Sequence, residues 1–261
     1  MSTIPDVRVT LPATRAASKE APAAQAQRMP QTYASEQYRV LSHIVQQLGK
    51  LGKRVIAVSS PVAGDGKTTT SINLAATLAQ AGDARVLLID ADLRRGCLAD
   101  QLGIGRSAGP GLAGAISDPL CRLESVTRRR VGLNFALLPA GPYPPMPYEA
   151  LRSARMGEIL AEARQQVDYV LLDTPPVVPV ADLRAVSDWV DGIFLVVSAH
   201  VTPRGLLDEA LSSMDAEKVV GIVYNGDDLP LSGQYRSYYS YGEPGSTPRR
   251  SPSILGVTGG R

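Results

Sequence analysis

Apolar residues along the chain fall into two alternating kinds of run. Short, nearly continuous stretches of Val, Ile and Leu at Arg54 to Val58, Arg85 to Ile89, Asn134 to Leu138, Tyr169 to Leu172, Gly192 to Val197 and Val219 to Tyr224 predict strands. Between them, apolar positions three and four residues apart predict helices at 67 to 81, 148 to 166, 181 to 189 and 203 to 215. Ahead of the first strand, Tyr38, Leu41, Ile44, Val45 and Leu48 repeat at helical spacing. They predict an amphipathic helix at about 36 to 49, capped by Ser35 and ended by Gly49 and Gly52. Strands without polar alternation need both faces covered, and their alternation with helices is the βαβ signature. The expected fold class is therefore α/β, a doubly wound, mostly parallel sheet with helices on both faces.

Composition changes this picture only at the two ends. Residues 1–34 mix Ala, Pro, Ser and single charges without period and are expected to form a flexible leader to a domain at 35–228. Residues 229–261 are expected to form a mobile tail, Gly-, Pro-, Ser- and Arg-rich towards its end. Acids and bases are interspersed and the net charge is +2, so nothing calls for a nucleic-acid partner. The one dense basic run, Arg128 to Arg130, reads as a solvated loop. Cys97 and Cys121 belong to no metal-ligand or redox spacing and fit a reduced compartment. No apolar stretch approaches the roughly 20 residues that span a bilayer. A cytoplasmic chain is expected, reaching a membrane only through a partner.

The densest chemical signal is Ser59-Ser60-Pro61-Val62-Ala63-Gly64-Asp65-Gly66-Lys67-Thr68-Thr69-Thr70, placed after a predicted strand and at the start of a predicted helix. Glycines at 64 and 66 let successive N–H groups turn inward on a phosphate, with the helix N-terminus behind them. Lys67 then reaches the β and γ phosphates, and the Thr68 hydroxyl is a magnesium ligand. Ala63, Gly64, Asp65, Gly66, Lys67, Thr68 and Thr69 are the candidate nucleotide-binding residues. Pro61 stands where the strict motif has its first glycine, so this is a P-loop of a deviant Walker type.

Two of the predicted strands run into carboxylates. Asp90 and Asp92 follow Val86 to Ile89 and share a side if that strand continues, while Asp173 follows Tyr169 to Leu172. Magnesium takes oxygen ligands and keeps several waters, which suits Asp173 and Asp92 beside Thr68. The competing reading has these acids cap helices or pair with Arg94 and Arg95. Asn225, after the last strand, reads equally well as an adenine contact or as half of an Asn-Gly turn. Finally, Tyr235, Tyr238, Tyr239 and Tyr241 crowd four phenols into seven residues without aliphatic company, as a substrate segment would.

On these residues the chain resembles the bacterial protein-tyrosine kinases of exopolysaccharide and capsule synthesis. The resemblance runs from about residue 36 to 241. It rests on Pro61 to Thr70 as Walker A, Leu87 to Arg95 as Walker A′, Val170 to Pro176 as Walker B, the proline-rich Gly141 to Leu151 and the tyrosine tail. It implies ATP and Mg2+ as cofactors, Lys67, Asp90 and Asp92 as catalytic residues with Asp90 as base, and Thr68, Asp92 and Asp173 at the metal. It also implies autophosphorylation of Tyr235, Tyr238, Tyr239 and Tyr241 in a homo-oligomer, a membrane polysaccharide co-polymerase as activator, and a cognate phosphatase. Two positions depart from the family. Glu36 and Arg39 match its oligomerisation helix but Ser42 replaces a second arginine, and Gly96 replaces a proline, which is expected to loosen a loop without touching the chemistry. The alternatives are a partitioning or septum-site ATPase, whose extra loop lysine would fall at Val62, and an ATP-binding regulator of polysaccharide assembly without kinase activity.

Overall fold

The computed structural model describes residues 8–11, 33–81, 84–105, 109–129 and 132–226. Its centre is a seven-stranded, wholly parallel sheet. The strands are β1 (Arg8–Leu11), β2 (Val55–Ser59), β3 (Val86–Asp90), β4 (Ala136–Leu138), β5 (Tyr169–Asp173), β6 (Gly192–Ser198) and β7 (Val219–Asn225), in the order β1-β7-β6-β2-β5-β3-β4. Within β2, β3, β4, β5 and β6, neighbouring residues feed opposite cores, as a period of two requires. Val55, Ala57, Leu87, Ile89, Val170 and Leu172 belong to one core, and Ile56, Val58, Val86, Leu88 and Leu171 to the other. This double burial is why the strand sequences are continuously apolar.

Helix α1 (Tyr33–Lys50) and helix α2 (Lys67–Gln80) pack on one face. The other face is covered by α4 (Gly111–Ser117), α5 (Leu123–Val126), α6 (Pro147–Arg152), α7 (Ala154–Gln166), α8 (Asp182–Ser187) and α9 (Arg204–Ser212). A single turn, α3 (Leu98–Gln101), follows β3.

Three expectations need correction. The predicted leader contains β1, which adds to the β7 edge with Val9 and Leu11 buried against α1. Four residues with only two apolar positions carry too little pattern to announce a strand; the partner strand and helix make it one. Helix α1 starts two residues before Ser35, which is therefore inside its first turn and buried rather than a cap. The helix predicted over 148 to 166 is two helices, because Ser153 adopts an extended conformation and its hydroxyl caps α7 by accepting from Met156 N–H at 3.3 Å.

All strands run the same way, so β2, β3, β5, β6 and β7 end at one edge. In register Asp90 lies opposite Asp173, Val58 opposite Asp173, and Ser198 opposite Asn225. That edge gathers the predicted chemistry. Residues 227–261, with Tyr235, Tyr238, Tyr239 and Tyr241, lie outside the described residues.

Candidate functional site

The loop between β2 and α2 turns back at Gly64 (φ 96°) and Gly66 (φ 94°), both in the left-handed region that favours glycine. At Gly66 a second constraint applies, since an added Cβ would lie 2.0 Å from Nδ2 of Asn225. Ala63, Gly64, Gly66, Lys67, Thr68 and Thr69 line a cleft of about 700 Å³ at the carboxyl edge of the sheet. Asp92, Arg94 and Pro175 form its opposite wall.

Lys67, the first residue of α2, holds its ammonium 3.5 Å from Asp92 Oδ2 and 3.7 Å from Asp173 Oδ2. Burial alone would lower its pKa, but Asp173 and then Asp92 outweigh burial and the net shift is upward. The lysine stays charged. Asp173 is 1 % exposed and accepts from Thr68 Oγ1 at 2.7 Å and from Ser71 Oγ at 3.2 Å. Its pKa is raised by burial, against the charge of Lys67 and these two hydrogen bonds. Thr68 and Asp173 thus face each other across a hydrogen bond that a cation would replace with two oxygen ligands. Among the described residues no three His, Cys, Asp or Glu side chains form a metal-binding group of their own. The donor set fits magnesium, which is usually held by one or two carboxylates together with phosphate oxygens and water.

Asp90 is the last residue of β3, and the strand does not continue to Asp92 as the side-sharing argument supposed. The chain turns instead, so that Asp92 N–H donates to Asp90 Oδ1 at 3.3 Å and Asp92 Oδ1 accepts from Arg95 N–H at 2.9 Å. Both acids remain near Lys67 but face different spaces: Asp92 lines the main cleft, and Asp90 lines an adjoining hollow of about 370 Å³. Burial and then the charge of Asp173 push the Asp90 carboxyl up to about 7, against a hydrogen bond from Leu98 N–H at 3.0 Å. Asp92 adds to the rise and Lys67 opposes it.

The alternative pairing of these acids with arginine side chains is not what the fold builds. Arg94 makes a two-pronged pair with Asp182, at 2.7 and 3.0 Å, fastening the turn after β3 to the start of α8. Asp182 is wholly buried, and nothing in its local sequence announced the partnership. Ser71, one turn along α2 from Lys67, was also missed; its spacing could have suggested it, because residues four apart share a helix face. The departure at Gly96 lies next to Asp90. A Cβ there would approach Ala140 Cβ to 2.5 Å and Asp90 Oδ2 to 3.0 Å, so the missing side chain leaves room beside Asp90.

Asp65 and Asn225, expected at the nucleotide, are joined to each other: Asn225 Nδ2 donates to the Asp65 carbonyl at 3.0 Å. The Asn-Gly turn is present as well, with Gly226 at φ 76°. On α1, Glu36 and Arg39 form an ion pair on the outer side, whereas Ser42 is 2 % exposed on the inner side. An arginine at 42 would start from the buried face of this helix.

Comparison with known proteins places these features in company. The AAA domain family matches residues 53–108, which hold the loop, α2, β3 and the turn after it. The chain is 33 % identical over 217 residues to the tyrosine-protein kinase YwqD of Bacillus subtilis, covering 80 % of this chain and 88 % of that one. It is 34 % identical over 220 residues to the putative tyrosine-protein kinase EpsB of Ralstonia solanacearum, covering 83 % of this chain but only 28 % of that much longer protein. The solved kinase domain of the Escherichia coli tyrosine kinase ETK superposes with a TM-score of 0.75 at 26 % identity, over 86 % of this chain and 92 % of that one.

Proposed function

Since the chain belongs to the bacterial tyrosine-protein kinase family of exopolysaccharide and capsule biosynthesis, we propose that it transfers the γ-phosphoryl group of magnesium-ATP to the tyrosines of its own C-terminal segment. The observation that carries this reading is the meeting of the buried Asp173 with Lys67 and Thr68, which line one cleft, with Asp90 beside it.

The residues divide the work. The loop amides and the N-terminus of α2 take the phosphates, and the Lys67 ammonium neutralises charge that builds on the transferring group. Thr68, Asp173 and Asp92 would hold magnesium, which would supply charge neutralisation at the phosphates. Phosphoryl transfer has a loose transition state, so positioning and charge do most of the work. A carboxylate base then suffices for a phenol, and a pKa near 7 leaves Asp90 able to accept its proton at neutral pH. Because Asp90 lines its own hollow, an acceptor phenol can approach it without crossing the nucleotide cleft.

The wider role follows the family: regulation of polysaccharide polymerisation and export, activation by a membrane co-polymerase, assembly with other copies of the chain, and reversal by a phosphatase. Among the described residues no helix is long and apolar enough to cross a membrane, so the activator reading assigns membrane contact to the partner. The positioning-ATPase alternative is disfavoured by Val62, which stands where the extra lysine would be. The test is incubation of the purified chain with magnesium-ATP, with and without detergent-solubilised membranes, followed by mapping of phosphorylated residues. Phosphate on Tyr235, Tyr238, Tyr239 and Tyr241, increased by membranes, is expected. ATP hydrolysis with no phosphotyrosine would favour a regulator without kinase activity.

A further inference from the structure

Asp65 is an awkward residue to find in a loop that receives phosphates, because a free carboxylate there would repel them. It is 2 % exposed, and both its oxygens are engaged. Oδ2 accepts from Val62 N–H at 3.2 Å, within the loop. Oδ1 accepts from the hydroxyl of Thr202 at 2.6 Å, from the turn between β6 and α9. We propose that Thr202 is a positioning residue for the phosphate loop: by binding the Asp65 carboxylate from behind, it holds the loop in its phosphate-receiving shape. This rests on the reading of that loop as the nucleotide site.

The turn is built to present this hydroxyl. Thr202 Oγ1 accepts from Ser198 N–H at 3.1 Å, so its own proton is left for Asp65. The Thr202 N–H donates to the Ser198 carbonyl at 3.0 Å, and His200 between them sits at φ 61°, a left-handed conformation uncommon outside glycine. The same turn is fastened to β7, since Ala199 N–H donates to the Asn225 carbonyl at 2.7 Å. Asn225 in turn donates its amide to the Asp65 carbonyl at 3.0 Å and packs against Gly66. Asp65 is thus held at its carboxylate by one element and at its carbonyl by another, and those two elements are bonded to each other. The residue next to the held carbonyl is Gly66, and Lys67 follows. Direction of their N–H groups is therefore set in part by Thr202 and Asn225, neither of which is among the residues lining the cleft.

The test is the affinity of the full chain for magnesium-ATP by titration calorimetry, together with the melting temperature of the nucleotide-free protein. Thr202→Val keeps the branched shape and loses the donor; the dissociation constant should rise on the order of tenfold, as expected for losing a hydrogen bond to a charged group. Thr202→Ser keeps the hydroxyl and should stay within about twofold of the parent. Asp65→Ala should also weaken binding, and adding Thr202→Val to it should weaken binding no further, because the two residues act through one bond. The proposal is overturned if Thr202→Val leaves affinity within about twofold, if the serine variant is as weak as the valine one, or if the losses in the double variant add. Should Asp65→Ala fail to fold, the valine and serine variants decide alone. A parent chain that binds no magnesium-ATP would instead overturn the nucleotide reading itself.

Discussion

Asp90 carries a burial cost that the fold accepts for the sake of its site, and this cost has a measurable pH signature. Its pKa of about 7 exceeds the ordinary carboxylate value, so the native chain binds more protons than the unfolded one between about pH 4 and 7. The stability that depends on a protonated Asp90 is present at low pH and is lost as pH rises through about 7. Asp90→Asn removes the charge and keeps an acceptor for Leu98 N–H while giving up the longer bond from Asp92 N–H, a loss that is the same at every pH. Without nucleotide or magnesium the variant should be more stable than the parent by on the order of 1–2 kcal/mol at pH 8, with the gain shrinking towards pH 4. Thermal melts at the two pH values check this, and an equal difference at both would show that Asp90 is not the strained carboxylate. Gly66→Ala tests the loop at the same scale. Its Cβ would meet Asn225 at 2.0 Å with φ at 94°, so magnesium-ATP affinity should fall at least about tenfold, measured by calorimetry. Lys67, Thr68, Asp90, Asp92 and Asp173 were legible because each follows a strand or opens a helix at a motif spacing. Thr202 was not: it stands 137 residues from the Asp65 it binds, and only the packing of β6 and β7 beside the loop brings them together.

At the scale of elements, what was legible is what the sheet buries on both sides. Strands β2, β3, β5, β6 and β7 lie within one or two residues of their expected bounds because a continuous apolar run has no other stable place. Short helices α3, α4 and α5 escaped because one or two turns cannot display a period of 3.6. The break at Ser153 escaped because the apolar spacing continues across it, and only the cap reveals two helices. Strand β1 depends on tertiary pairing alone, which gives a sharp test. Leu11 is 1 % exposed, so Leu11→Ala should lower unfolding stability by about 2–3 kcal/mol, read from urea melts. A flexible leader would leave the midpoint unchanged.

For the whole molecule, the proposal joins a nucleotide cleft to a tyrosine segment some ten residues beyond Asn225. An extended chain covers at most about 3.5 Å per residue, so the segment can reach its own cleft only through a well-aimed turn, and it is the family resemblance that favours a site on another copy. A mixture of a Lys67→Met chain with intact tyrosines and an active chain carrying Phe at 235, 238, 239 and 241 should place phosphate on the Lys67→Met chain, at a rate that rises with concentration. Labelling of the parent alone, independent of concentration, would assign transfer to a single chain. The most direct measurement is quantitative phosphotyrosine mapping of the parent and Lys67→Met proteins after incubation with magnesium-ATP. The methionine keeps much of the side chain's bulk and loses the charge that sits 3.5 and 3.7 Å from Asp92 and Asp173, so tail phosphotyrosine should fall by at least about a hundredfold. Undiminished phosphotyrosine in the purified Lys67→Met protein would contradict the assignment of this cleft as a tyrosine kinase site.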